Sequence, residues 1–170
     1  MSGGKSGVSQ AIQTWVRSRA HGTGGSTSAG GVHDHPSRAA VRVTSRRVLV
    51  VDDDDHIREV ATLALEVVGG WRVTSTSSGE DAARIASDEH PDAVLLDVMM
   101  PGVDGPSTLA RLREDPSTAD IPVILLTAKN LSVDQRDFSQ MALAGMIPKP
   151  FDPMALAGQV ADLLDWNEGP

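Results

Sequence analysis

Asp52, Asp53, Asp97, Thr127 and Lys149 are the residues of this 170-residue chain whose types could do chemistry together. Each ends a short apolar run. Val48–Val51 leads into the first two acids, Ala93–Leu96 into Asp97, Ile121–Leu126 into Thr127, and Met146–Pro148 into Lys149. Three carboxylates gathered at one place repel, and a hard divalent cation is the ordinary solution. Mg²⁺ takes oxygen ligands, keeps several waters and favours one or two carboxylates together with a phosphate. The hydroxyl and the ammonium would complete a cradle for an anion that the metal alone cannot neutralise. In such a setting an activated carboxylate can accept a phosphoryl group as an aspartyl phosphate. Taken singly, each residue has a plainer reading. Asp97 could cap a turn, Lys149 could be a surface lysine, and Asp52 to Asp55 could be a solvated run at a helix N-terminus. The plainer reading holds for Asp54 and Asp55. A calcium loop is excluded, because no glycine stands sixth from Asp52 or Asp53.

Everything then depends on whether the fold brings those run ends together. Ile57 to Val68 carries a helical apolar stripe closed by Gly69-Gly70. Trp71 to Ser75 reads as a second strand, and Ser78 as the N-cap of a helix whose inner face holds Ala82, Ala83, Ile85 and Ala86. Pro101, Gly102 and Gly105 halt the third strand just past Asp97, so the acid sits where strand becomes loop. Thr108 to Glu114 is a short helix with Leu109 and Leu112 inward. Ser132 to Ala144 is a weaker one, with Phe138, Met141 and Ala142 on one side. Met146 to Pro148 holds a proline and therefore belongs at a sheet edge. Lys149 directly precedes Pro150, and a cis peptide bond there would aim its side chain inward. Met154 to Trp166 is a last helix with its stripe at 156, 157, 160, 163 and 164. Five strands alternating with five helices define an α/β, doubly wound parallel sheet with right-handed crossovers. All the strand ends named above then lie on one rim, where ligands bind in open parallel sheets.

Composition limits the alternatives. The chain has no Cys, which removes disulfides, thiolate metal sites and thiol nucleophiles. Aromatic residues make up 3% and Tyr is absent, so the core must be aliphatic and Ala-rich. Residues 1–47 carry seven Lys or Arg against one acid, whereas 48–170 carry a net charge of −14. Residues 1–45 also hold half of the 16 glycines, and read as a disordered, basic, Gly/Ser-rich tail. The single folded unit is expected over 46–167. No apolar run reaches the length of a membrane span and no signal-peptide core follows Met1, so a cytoplasmic protein without a membrane partner is expected.

The segments Val50-Val-Asp-Asp53, Leu95-Leu-Asp-Val-Met-Met-Pro-Gly-Val-Asp-Gly105, Leu126-Thr-Ala128 and Lys149-Pro-Phe151 resemble the CheY-like response-regulator receiver domain of two-component signalling. All four motifs occur in family order and spacing, over about 46–167. The resemblance implies a flavodoxin-like (βα)5 fold and a signalling protein rather than an enzyme. It implies that Asp97 is the phosphoacceptor, charged by a sensor histidine kinase or a histidine phosphotransfer protein. Asp53 and Asp97 would ligate Mg²⁺ with the backbone carbonyl of Met99, with Asp52 acting largely through water. Thr127 would hydrogen-bond a phosphoryl oxygen, and Lys149 would pair with it. Thr127 and Met146 would form the switch, Met146 standing where the family usually has an aromatic. Thioether packing there is softer and less directional.

The downstream target expected from this resemblance is a protein, bound at the face of the fourth helix, fifth strand and fifth helix. The active form could also homodimerise on phosphorylation through that face. Nothing resembling a DNA-binding helix pair follows Trp166, so a stand-alone receiver without a DNA-binding domain is expected. Two other readings compete. A haloacid dehalogenase-like phosphohydrolase would use Asp52 as nucleophile within Asp52-Asp53-Asp54, but the chain has no room for a cap and lacks a second acidic motif. A degenerate receiver acting only as a binding module would not need an intact acid set.

Overall fold

Val48 to Val51 alternate between two cores, and that alternation organises the molecule. Val48 and Val50 pack with Ala61, Ala64, Leu65, Leu95, Ile124, Leu126, Ile147, Leu156 and Val160. Leu49 and Val51 pack on the other side of the sheet with Ala82, Ala86, Val94, Leu96, Leu109, Leu112 and Leu125. Side chains on a strand point to opposite faces in turn, so a strand buried on both faces must be apolar throughout. Each fully buried Val, Leu or Ile contributes about 1.5–3 kcal/mol. The protein's structure, a computed structural model, describes residues 45–128 and 142–166. The tail expected over 1–45, apart from Ser45, lies outside the described residues, as do Phe138, Met141 and most of the helix expected over 132–144. The described residues belong to a compact unit that begins at Ser45.

In chain order the elements are β1 (Arg47–Val51), α1 (Asp55–Val67), β2 (Arg72–Thr76), α2 (Gly79–Glu89), β3 (Ala93–Asp97), α3 (Gly105–Glu114), β4 (Val123–Ala128), β5 (Gly145–Lys149) and α4 (Pro153–Leu163). The five strands form one parallel sheet in the order β2-β1-β3-β4-β5. This is the flavodoxin-like, doubly wound arrangement, whose order reverses between β1 and β3. The cores place α2 and α3 on one face of the sheet, and α1 and α4 on the other. Among the described residues no helix is long and apolar enough to cross a membrane.

Side-chain caps set the helix starts. Asp54 accepts from the N–H groups of His56 and Ile57, Ser78 from Asp81, Asp104 from Ser107, and Asp152 from Met154. Each satisfies donors that a first helical turn leaves free. The expected plain role of Asp54 and Asp55 is met, since one caps α1 and the other lies in its first turn. Pro148 lies in the edge strand β5, opposite Thr127, where its missing N–H costs no ladder bond to a further strand.

Several expected boundaries shift. Gly105 does not only stop the third strand; it opens α3, three residues earlier than expected. A Cβ at Gly105 would lie 2.4 Å from the Asp97 carbonyl oxygen and 2.8 Å from Val98 Cα, so its lack of a side chain lets α3 start against that loop. The helix expected over 132–144 does not reach Ala144. Ala142 has φ 51°, and the Ala144 N–H already bonds the Val123 carbonyl at 2.9 Å. Leu163, expected on the inner stripe of the last helix, is 37% exposed and covers Gly145, where any Cβ would meet its methyls.

At the rim where the strands begin, Trp71 and Trp166 meet edge to face, with ring centroids 5.1 Å apart and planes at 87°. The Arg46 guanidinium lies 4.8 Å from the Trp166 ring. These residues pack against one another.

Candidate functional site

The alternation that builds the core also delivers the site. Val50, Leu95 and Ile147 share one face of the sheet, and two residues beyond each, in the same phase, stand Asp52, Asp97 and Lys149. β1 and β3 are neighbours at the point where the strand order reverses, so Asp52 and Asp97 flank the crevice that open parallel sheets use for ligands. Lys149 Nζ lies 3.0 Å from Asp52 Oδ2 and 2.9 Å from Asp97 Oδ1. Asp52 is fully buried and Asp97 is 2% exposed. One ammonium therefore sits between two carboxylates withdrawn from water. The Lys149–Pro150 bond is cis, as expected.

The two carboxylates differ in how they are held. Asp52 Oδ1 accepts from the Asp54 N–H at 3.0 Å and Oδ2 from Lys149 at 3.0 Å, so both oxygens are engaged. Asp97 Oδ1 faces the Lys149 ammonium at 2.9 Å, and among the described residues Lys149 is the one partner of that carboxylate. Burial pushes the Asp52 carboxyl above the usual carboxylate range, against the Lys149 hydrogen bond and charge and the Asp54 N–H, which pull it down. Burial also works against the Lys149 ammonium. Its contacts with Asp97 and Asp52 outweigh that burial and hold its pKa above the ordinary lysine value.

Asp53 is exposed, and one carboxylate oxygen from each of Asp52, Asp53 and Asp97 lies within 4.8 Å of the others. Such a set of hard oxygens, two buried and one facing solvent, carries more negative charge than one lysine neutralises. It fits a small divalent cation such as Mg²⁺ that keeps part of its water shell.

The remaining expected residues lie on β4, on β5 and in the loop after β3. Thr127 lies one position past Leu126, the register partner of Asp97, and is half-buried. It follows Leu125 of the opposite core in phase, and no bond joins it to the Asp52–Lys149–Asp97 group among the described residues. Met99 is 63% exposed in the loop after β3. Met146 is paired with Leu125 on edge strand β5 and is 41% exposed. Arg58 is a contributor that the sequence reading does not foresee. Its guanidinium donates to the Asp52 backbone carbonyl at 2.7 Å and pairs with the Asp55 carboxylate. The signal available is its spacing of three residues from Asp55; the carbonyl contact leaves no trace in sequence.

A parallel sheet of order 2-1-3-4-5, with an acid pair at the reversal and a lysine bridging it, defines a receiver-type α/β signalling domain. The chain matches the response regulator receiver domain over residues 48–161, and it belongs to that family. A response regulator from Chloroflexus aurantiacus J-10-fl has a similar structure, with a TM-score of 0.65 at 32% identity, covering 71% of this chain and 98% of that one. The receiver domain of sensor histidine kinase PA1611 from Pseudomonas aeruginosa PAO1 superposes with a TM-score of 0.63 at 28% identity, over 71% of this chain and 98% of that one. It holds a magnesium ion in its active site cleft. The DNA-binding dual master transcriptional regulator RpaA of Synechocystis is 36% identical over 118 residues, which make up 69% of this chain and 48% of that protein.

This last likeness corrects the expected partners. The chain spans about half the length of the curated relatives it matches, and these are transcriptional regulators. The expectation of a stand-alone receiver without a DNA-binding domain is overturned. A receiver folds around its own core, so nothing inside residues 46–167 records whether a DNA-binding half accompanies it.

Proposed function

We propose that this receiver accepts a phosphoryl group on Asp97 from a phosphohistidine, on a histidine kinase or a histidine phosphotransfer protein, in a Mg²⁺-dependent reaction. The observation that carries the choice of nucleophile is the contrast between the two buried carboxylates. Both oxygens of Asp52 are engaged, whereas among the described residues Asp97 is held by Lys149 alone, at Oδ1. An Asp97 oxygen forms the new P–O bond as the P–N bond to the donor imidazole breaks, and the electron pair stays on the imidazole nitrogen. Asp52, Asp53, Asp97 and the Met99 carbonyl would hold the ion, which when bound offsets the charge of the phosphoryl oxygens. Lys149 faces Asp97 before transfer and follows the negative charge onto the phosphoryl group afterwards. Thr127 donates its hydroxyl to a phosphoryl oxygen, and this movement with Met146 forms the switch.

Intact mass after incubation with Mg²⁺ and a small acyl phosphate tests the proposal. One phosphoryl adduct is expected, absent without Mg²⁺ and absent in Asp97→Asn. An adduct that survives in Asp97→Asn would move the nucleophile to Asp52 and favour the phosphohydrolase reading. No adduct in the wild type would leave a binding module.

Metal binding has its own expected signature in stability. Mg²⁺ at ~100-fold over its dissociation constant raises the free energy of unfolding by about 2.7 kcal/mol, because it binds only the folded chain. In Asp53→Asn most of that rise is lost. Urea unfolding with and without Mg²⁺ reads both.

A further inference from the structure

We infer that Arg58 is a positioning residue for the Mg²⁺ site, fixing the loop that carries Asp52 and Asp53; this rests on the reading of the acid set as that site.

The loop between β1 and α1 is held at several points. The Asp52 N–H bonds the Thr76 carbonyl at 3.2 Å, which ties the loop to β2. The Asp54 N–H bonds Asp52 Oδ1 at 3.0 Å, and the Asp54 carboxylate caps α1. The Asp52 carbonyl is different. Among the described residues no backbone N–H reaches it. Only the Arg58 guanidinium does, at 2.7 Å, while its other arm holds Asp55. A planar fork with donors on two sides can brace the loop from Asp52 to the first residue of α1; a single ammonium cannot. Asp53 lies inside the braced stretch. Its carboxylate takes no hydrogen bond or ion pair among the described residues, so its aim depends on the backbone on either side of it.

Charge and position pull in opposite directions here. A guanidinium near a cation site repels the cation, so its removal should tighten binding if charge alone counts. Loss of the brace should weaken binding instead, and partners that orient metal ligands from behind are each worth 10–100-fold in metal affinity. The sign of the change therefore identifies the role.

The test is Mg²⁺ affinity by titration calorimetry for the wild type, Arg58→Met and Arg58→Lys. Met and Lys have helix propensities close to that of Arg, so neither change weakens α1 through propensity. We expect Arg58→Met to bind Mg²⁺ about tenfold more weakly, and Arg58→Lys, which keeps the charge, to bind more weakly as well. The metal-free proteins give a second readout, in which the amide resonances of Asp53 and Asp54 shift in both variants. Tighter binding in Arg58→Met, or affinities within about twofold of wild type in both variants, would overturn the role. Unmoved Asp53 and Asp54 amides would overturn it even without metal. Absence of Mg²⁺ binding by the wild type would instead overturn the reading of the acid set itself.

Discussion

Lys149→Met loses about 3 kcal/mol of unfolding free energy at pH 7, since removing one partner of a buried ion pair strands the other charge. Here it strands two: Asp52 is fully buried, Asp97 nearly so, and Lys149 is the ammonium within 3.0 Å of both. The loss depends on pH, and its sign follows from Asp52. Burial already raises that carboxyl above the usual range, while Lys149 is among the influences that lower it. Without the lysine it rises further, so the folded state binds a proton more tightly than the unfolded chain. Stability then falls as pH rises through the raised folded pKa. The deficit of the variant against wild type is therefore greatest at neutral pH, and shrinks as pH falls toward the carboxylate range. Urea titrations at pH 7.5 and pH 5 measure it. Equal deficits at both values would assign the loss to packing of the lysine stem and not to its charge.

Gly105→Ala has the other large effect, about 3 kcal/mol of destabilisation, at the upper end of what overpacking usually costs. The added methyl would meet the Asp97 carbonyl oxygen at 2.4 Å and Val98 Cα at 2.8 Å. Both are backbone atoms, so no side-chain rotation relieves the clash, and the loop or the first turn of α3 must move. Gly102 is the internal comparison. It has φ +81°, and a methyl added there would meet nothing within 4 Å, so Gly102→Ala carries only the left-handed backbone penalty of about 1–2 kcal/mol. Parallel urea unfolding of the two variants separates crowding from conformation. A Gly105→Ala cost no larger than that of Gly102→Ala would remove the close approach as the reason for the glycine.

The strand ends are legible in the sequence because burial on both faces leaves a plain mark, four apolar residues in a row and then an acid. That pattern predicts the positions of Asp52 and Asp97 without a structure, and the edge place of β5 follows from Pro148 in the same way. Period-two alternation carries Lys149 into phase with both acids, a relation that three strand registers are needed to see. Turn residues mislead more easily. Gly105 reads as the end of an element and instead starts one, because a glycine signals close approach as readily as chain reversal. Leu163 follows the helical stripe yet stays half-open, since its neighbour across the gap is Gly145, too small to cover it. Contacts to backbone oxygens, such as that of Arg58 with Asp52, depend on local loop shape and have no periodicity to betray them. The expectation of no DNA-binding domain fails for a different reason: it rests on residues that are not there, and a receiver's core carries no imprint of a neighbouring domain.

The pairing of Trp71 with Trp166 gives the molecule a built-in optical gauge. The pair clasps the start of β2 to the chain just after α4, at the rim where the strands begin, about 16 Å of strand away from the acids. With no tyrosine in the chain, near-ultraviolet absorption and emission belong mainly to tryptophan. Their edge-to-face geometry should produce a coupled circular-dichroism band that vanishes when the clasp opens. That band follows the integrity of the fold, and the phosphoryl transfer proposed for the acid crevice at the other rim is expected to leave it unchanged. Folding and chemistry in this protein thus come with separate dials.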